Sequence, residues 1–193
     1  MSPHTGTQNP LPALRIAVTA DLPALHRLID ASVRELSRGS YSEAQIASGL
    51  RHVFGPDSAL IADQTYFVIE SDGVLAAAGG WSRRRTLYGG DQAKSGPDPL
   101  LDARTEPARI RAFFVDPRFV RRGLARRLLE HCAANAAHEG FSALELMATL
   151  PGVPLYLALG FESIEHAAPV LADGVALPMV RMRRVVGFVD RHR

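Results

Sequence analysis

The sequence predicts one α/β domain, and three observations predict it. Short β-rich runs are interleaved with segments whose apolar residues recur at helical spacing. A hairpin signature stands mid-chain: Thr65–Glu70, the turn Ser71-Asp72-Gly73, then Val74–Trp81. A buried-strand run, Arg109–Val115, leads through Asp116-Pro117 and a single-glycine turn into a long helix. With 193 residues, 47% of them hydrophobic, the chain is long enough for one full core and shows no linker to a second.

The elements follow in order. Leu14–Val18 reads as the first strand. Thr19 or Asp21 offers a cap for a helix with Leu25, Leu28, Ile29 and Val33 on one face, ended by Arg38-Gly39. Ser42 caps a second helix carrying Ile46, Leu50 and Val53, which ends near Gly55-Pro56. The hairpin comes next. Residues 82–108, rich in glycine and proline, read as a long irregular connection, a kind of segment that is often functional. After the glycine turn a helix runs from 123 to about 138 and stops at Gly140. Ala143–Ala148 is the next strand, Pro154–Leu159 supplies one or two helical turns, and Phe161–Ile164 and Val175–Val186 close the domain.

Composition bounds the partners. A net charge of +2 implies no general nucleic-acid partner, and the excess positive charge is local. No apolar run approaches a membrane span, so no membrane association is expected. Residues 1–12 lack a basic n-region and an apolar h-region and are expected to be a flexible tail, with residues 13–193 as the single domain. The lone cysteine, Cys132, lies near Leu124, Leu128 and Ala136 on the long helix and suits a reducing, cytoplasmic setting. The seven histidines are scattered without metal-ligand spacing, so no metal is expected.

The strand–turn–helix has the chemistry of an anion site. The first-turn N–H groups of a helix have no intrahelical partners, and the dipole adds about half a positive charge there. Gly123 lets the backbone approach a ligand, and Arg118, Arg121, Arg122, Arg126 and Arg127 surround the turn. A ligand with several phosphates suits such a turn; a solvated basic helix face is the plainer alternative.

A second segment, Tyr156-Leu157-Ala158-Leu159-Gly160-Phe161, lies some thirty residues on. Together the two segments resemble the GNAT family of acyl-CoA-dependent N-acyltransferases. That family carries V-x-P-x-x-[QR]-x-x-G-x-[GA] after its fourth strand, here Val115-Asp116-Pro117 through Gly123-Leu124-Ala125, and Y-x-x-x-G-F near its C-terminal strands. The resemblance implies a mixed, mostly antiparallel sheet splayed between its fourth and fifth strands, with helices on both faces. It implies acetyl-CoA as cosubstrate, its pantetheine paired with the backbone of Phe113, Phe114 and Val115. A backbone N–H near Val115 would polarise the thioester carbonyl. The amides from Arg121 and Arg122 through Gly123, Leu124 and Ala125 to Arg126 would hold the pyrophosphate. Tyr156 would be the general acid for the leaving thiolate.

Departures from the pattern mark where the chain is individual. Val120 stands where the family has Gln or Arg, and Thr149 where it often has an asparagine near the cofactor. Arg109 and Arg111 occupy the strand that carries a basic glutamate in many members. The base is therefore unassigned, with Asp91, Asp98, Asp102 and Glu106 of the long loop and Glu145 of the fifth strand as candidates; a solvated carboxylate is the plainer reading of each, and an acceptor amine of low pKa would need no protein base at all. Arg111 facing solvent or an internal acid competes with Arg111 holding an acceptor carboxylate. Trp81, with Tyr88 and Tyr41, is a candidate lining for the acceptor pocket.

The resemblance implies an N-acetyltransferase acting on a primary amine of a small molecule. A non-catalytic acyl-CoA sensor on the same fold is the alternative, and a nucleic-acid binder using the arginine stretch lacks interleaved aromatics. The strand edges and apolar content permit a homodimer.

Overall fold

A computed structural model describes residues 12–186. Apart from Pro12, the segment read as a tail lies outside the described residues. The elements are β1 (Ala13–Ile16), α1 (Leu22–Leu36), α2 (Glu43–His52), α3 (Ser58–Ala62), β2 (Tyr66–Ser71), β3 (Val74–Ser82), β4 (Ala108–Val115), α4 (Leu124–His138), β5 (Ala143–Thr149), α5 (Val153–Ala158), β6 (Glu162–Ala167) and β7 (Met179–Val185). One mixed sheet runs β1-β2-β3-β4-β5-β7-β6, antiparallel except between β4 and β5, as the fold-class reading expects.

The strands have two apolar faces because successive side chains alternate. Phe67 and Ile69 of β2 pack with Leu128, Leu129 and Cys132 of α4 on one face. Tyr66 and Val68 pack with Leu25 and Leu28 of α1 and Leu60 of α3 on the other. Ile29 and Val33 of α1, Ile46 of α2 and Met179 of β7 complete that second layer.

Local chemistry sets the helix starts. Ser42 Oγ accepts the Gln45 N–H at 3.2 Å, and Gln45 Oε1 accepts the Ser42 N–H at 3.0 Å, a reciprocal cap on α2. Ser42→Ala is expected to cost about 1 kcal/mol and roughly 2–4 °C in Tm, read by thermal denaturation; an unchanged Tm would remove the cap from the account. The expected elements omit α3, whose five residues are too few to show periodicity. Asp57 initiates it by accepting the Ala59 N–H at 3.2 Å. The last strand begins at Met179 rather than Val175, because Pro178 cannot donate to the ladder and Leu177 N–H turns back to the Pro169 carbonyl. β1 stops at Ile16, and Ala17 N–H bonds the Tyr66 carbonyl as the chain turns into α1.

The sheet is closed at one end of the β4–β5 seam and open beyond it. The two strands share only the pairs Ala108↔Leu144 and Arg109↔Glu145. At that apex the Glu145 carboxylate, 3% exposed, receives Arg109 Nη1 at 2.5 Å and Arg181 Nη2 at 2.9 Å, which ties β4, β5 and β7 together. Beyond it β4 carries a bulge opposite Gly79, with Ala112 at φ +54°, and bulges bend the strand that bears them. A Cβ on Gly79 would lie 2.8 Å from the Phe113 ring, so a glycine there makes room for the aromatic beside the gap.

Candidate active site

Two adjoining cavities occupy the gap. The first, about 190 Å³, is lined by Ser32, Val115, Ala125, Gly152 and Leu155 among others. The second, about 80 Å³, is lined by Leu87, Tyr88, Arg111, Met147 and Met179 among others. Phe54, Phe113, Phe114, Thr149 and Tyr156 border both, which puts Tyr156 at their junction. A larger hollow of about 520 Å³, lined by Asp21, Arg27, Glu70 and Arg118, lies between α1 and the β2–β3 hairpin. Size alone would favour it, but it shares none of the residues that border the gap on both sides.

The glycine turn is built by local backbone chemistry. Asp116 N–H donates to the Ala76 carbonyl at 2.9 Å, and the Asp116 carboxylate accepts the Arg118 N–H at 2.8 Å. The Arg118 guanidinium, 2.7 Å away, holds that carboxyl below the usual carboxylate range. Arg121 at φ +60° and Gly123 at φ +75° are left-handed, and such turns make concave arrays of N–H groups that bind anions. Arg127 N–H makes the 3.0 Å bond to the Gly123 carbonyl, so the N–H groups of Leu124, Ala125 and Arg126 precede the helical ladder. A Cβ at Gly123 would meet nothing within 4 Å, which leaves space for a ligand.

The five arginines are not equivalent. Arg118 is taken by Asp116, Arg126 faces Glu130 at 3.7 Å, and Arg127 donates to the Pro12 carbonyl at 2.6 Å. Arg122 lies 4.9 Å over the Phe119 ring, and among the described residues no carboxylate pairs with it or with Arg121.

The spacing of Tyr156, Gly160 and Phe161 has a structural cause. Phe161 N–H donates to the Tyr156 carbonyl, and Gly160 N–H to the Leu157 carbonyl, both at 3.0 Å. With Gly160 at φ +81°, this is a Schellman stop, which brings the residue after the glycine back onto the last turn. The Tyr156 and Phe161 rings accordingly meet edge to face at 5.6 Å. Burial pushes the Tyr156 phenol well above its ordinary pKa, with Cys132 beside it as a smaller cause.

Val115 directs its N–H away from β3, and Ser32 Oγ of α1 accepts it at 3.3 Å. Sequence reasoning missed Ser32, although it is a polar residue on the apolar face that carries Leu25, Leu28 and Ile29.

Several expectations for the acceptor side are corrected. Trp81 is 2% exposed in the core, edge to face with Phe141 at 6.0 Å, and Tyr41 donates to the Pro178 carbonyl at 2.5 Å while accepting Leu150 N–H at 2.9 Å. Both lie outside the lining of either cavity; Tyr88 alone of the three borders one. Arg111 pairs with the buried Asp57 at 2.9 Å and bonds the Gly89 carbonyl, so the internal-acid alternative holds. The candidate bases are engaged elsewhere. Asp91 accepts Ser58 N–H at 3.0 Å, Asp98 accepts Thr86 N–H at 2.8 Å, and Asp102 accepts Arg104 N–H at 3.0 Å. Glu106 accepts Asp102 N–H at 2.9 Å, and Glu145 is clasped by two guanidinium groups. Among the described residues no cluster of His, Cys, Asp or Glu could hold a metal, and no helix is long and apolar enough to cross a membrane.

Residues 31–161 match the sequence profile of the acetyltransferase (GNAT) family. The chain belongs to this family. Its fold is shared by a GCN5-related N-acetyltransferase from Rhodopseudomonas palustris, 18% identical, with 91% of this chain and 96% of that one covered at a TM-score of 0.64. The PaiA N-acetyltransferase of Thermoplasma acidophilum, solved with coenzyme A, is 13% identical, covers 91% and 99%, and has a TM-score of 0.61. A ribosomal-protein-alanine N-acetyltransferase from Brucella melitensis is 16% identical, with 90% and 99% covered at 0.59. These likenesses concern the fold alone. No curated protein matches the chain.

Proposed function

We propose that this GNAT-family chain transfers an acetyl group from acetyl-CoA to a primary amine by direct attack within a ternary complex. The observation that carries the reading is Tyr156 at the junction of two cavities, one of which runs toward the first turn of α4. The arrangement suits a long phosphate-bearing thioester on one side and a small acceptor on the other.

The residues have these roles in the proposal. The amides of Arg121 to Arg126 and the guanidinium groups of Arg121 and Arg122, which pair with no carboxylate among the described residues, hold the pyrophosphate. The backbone of Phe113, Phe114 and Val115 pairs with the pantetheine as an added strand. Val115 N–H polarises the thioester carbonyl, a contribution of about 3 kcal/mol in the transition state. Its long bond to Ser32 Oγ is one that a carbonyl oxygen can replace. Thr149, bordering both cavities, offers a hydroxyl to the cofactor. Tyr156, kept protonated by burial, gives its proton to the departing thiolate. A single buried cysteine suits a cytoplasmic enzyme.

Calorimetric titration with acetyl-CoA tests the cofactor half of the proposal. Micromolar binding is expected, weakened at least about tenfold, or 1.4 kcal/mol, by Gly123→Trp, whose indole fills the open space beside a left-handed backbone position. No binding at millimolar acetyl-CoA would overturn the reading. Tight binding with no acetyl transfer to any amine would establish an acyl-CoA sensor in its place.

A further inference from the structure

We propose that the acceptor is a weakly basic amine on an apolar group, which reaches the thioester already uncharged because the acceptor chamber supplies no base. The inference rests on the acetyl-transfer reading above and concerns the 80 Å³ cavity beside Tyr156. A chamber of that size admits an amine and the few carbons attached to it.

Phe54, Leu87, Phe114, Leu146, Met147 and Met179 supply its apolar lining, and Tyr88, Arg111, Thr149, Tyr156 and the glycines Gly55, Gly89 and Gly90 are among the residues that give it about as much polar surface. Among the described residues, the titratable ones that line it are Tyr88, Arg111 and Tyr156, with no carboxylate or histidine. The charges behind the wall are committed. Arg111, 4% exposed, is bound to Asp57 at 2.9 Å and to the Gly89 carbonyl. Asp57, fully buried, accepts the Ala59 and Leu60 N–H groups at 3.2 and 3.4 Å and pairs with Lys94 as well. Of the other acids near Arg111, Asp91 accepts from Ser58 and Asp98 Oδ1 from Thr86; Asp98 Oδ2 has no hydrogen-bond partner among the described residues, but neither acid lines the chamber.

An ammonium ion entering this chamber would lose its water without gaining a carboxylate, and a guanidinium would stand beside it. That cost is severe for a single charge and prohibitive for a polycation. Only the free-base amine is then competent. An alkylamine with the ordinary lysine pKa of about 10.4 is free base to roughly one part in 10³ at pH 7, whereas a weakly basic amine is almost wholly so. In the reaction the amine nitrogen bonds the acetyl carbon and the carbon–sulfur bond breaks. Tyr156 protonates the thiolate, and the proton shed by nitrogen restores the phenol.

Two amines of closely similar size separate the outcomes: ethylamine, a strong base, and 2,2,2-trifluoroethylamine, a weak one. The kcat/KM for ethylamine is expected to rise about tenfold per unit between roughly pH 6 and pH 9, while that for the fluorinated amine stays level above its own low pKa. A level ethylamine profile over that range would reveal an enzymic base and overturn the inference, as would a preference for spermidine or for a peptide α-amine. Calorimetry of the CoA-bound protein gives a second readout. At neutral pH the fluorinated amine is expected to bind and ethylammonium to give no heat, and the reverse order would overturn the inference. Acetyl transfer with a level ethylamine profile would leave the acetyl-transfer reading intact. Binding of acetyl-CoA with no transfer to any of these amines at any pH would end that reading and this inference with it.

Discussion

Replacement of Tyr156 by phenylalanine is expected to lower kcat by about 10²–10⁴-fold, the usual worth of a positioned general acid. The substitution removes one oxygen and little else. The edge-to-face contact with Phe161 and the backbone stop at Gly160 depend on the ring and main chain, which phenylalanine retains. No described protein group hydrogen-bonds the hydroxyl, so its loss strands no buried partner, and acetyl-CoA affinity and Tm should stay close to wild type. Because burial raises the phenol above its ordinary pKa, the proton is held throughout the neutral range. Loss of this acid on the alkaline side therefore begins only above the pH where an exposed tyrosine would ionise. Steady-state kinetics with calorimetry on the same variant checks the split. An unchanged kcat would reduce Tyr156 to packing.

Arg111→Ala is expected to destabilise the fold by about 3 kcal/mol, the lower end of the range for breaking a buried ion pair. The mechanism is the carboxylate left behind. Asp57 is fully buried, and without the guanidinium only Lys94 and two N–H groups remain to stabilise it. Lys94 keeps the cost from being larger. For a chain of this length the loss corresponds to a fall of roughly 6–12 °C in Tm. Arg111→Met combined with Asp57→Asn removes both charges and keeps an acceptor for the α3 cap. That double variant is expected to recover part of the stability, because Lys94 then keeps only Asp91, 3.7 Å away, among the described carboxylates. If it melts as low as the single variant, packing of the arginine stem, rather than the uncompensated charge, is responsible.

The parts of the site that were legible in the sequence are those governed by backbone conformation over a few residues. Gly123 stands where the chain takes φ +75° to enter α4, and Gly160 where φ +81° ends α5 and folds Phe161 onto Tyr156. Those requirements are local, so spacing alone records them. The hairpin at Asp72-Gly73 and the Ser42 cap belong to the same class. Side chains whose partners are far away in the sequence left no such record. Trp81, a pocket candidate by its place at a strand end, went to the core, and Tyr41 crosses to the Pro178 carbonyl. Asp57 and Arg111 lie 54 positions apart, and neither announces the other.

The main strands and helices other than α3, the glycine turn before α4 and the position of Tyr156 thus follow from residue pattern, because periodicity, caps and left-handed glycines act within one or two turns of chain. Which partners each candidate carboxylate takes was decided only when the sheet assembled. The five acidic candidates look alike in the sequence. Tertiary packing gave Glu145 two guanidinium partners and the loop acids backbone N–H groups to hold, and among the described residues no carboxylate lines the chamber.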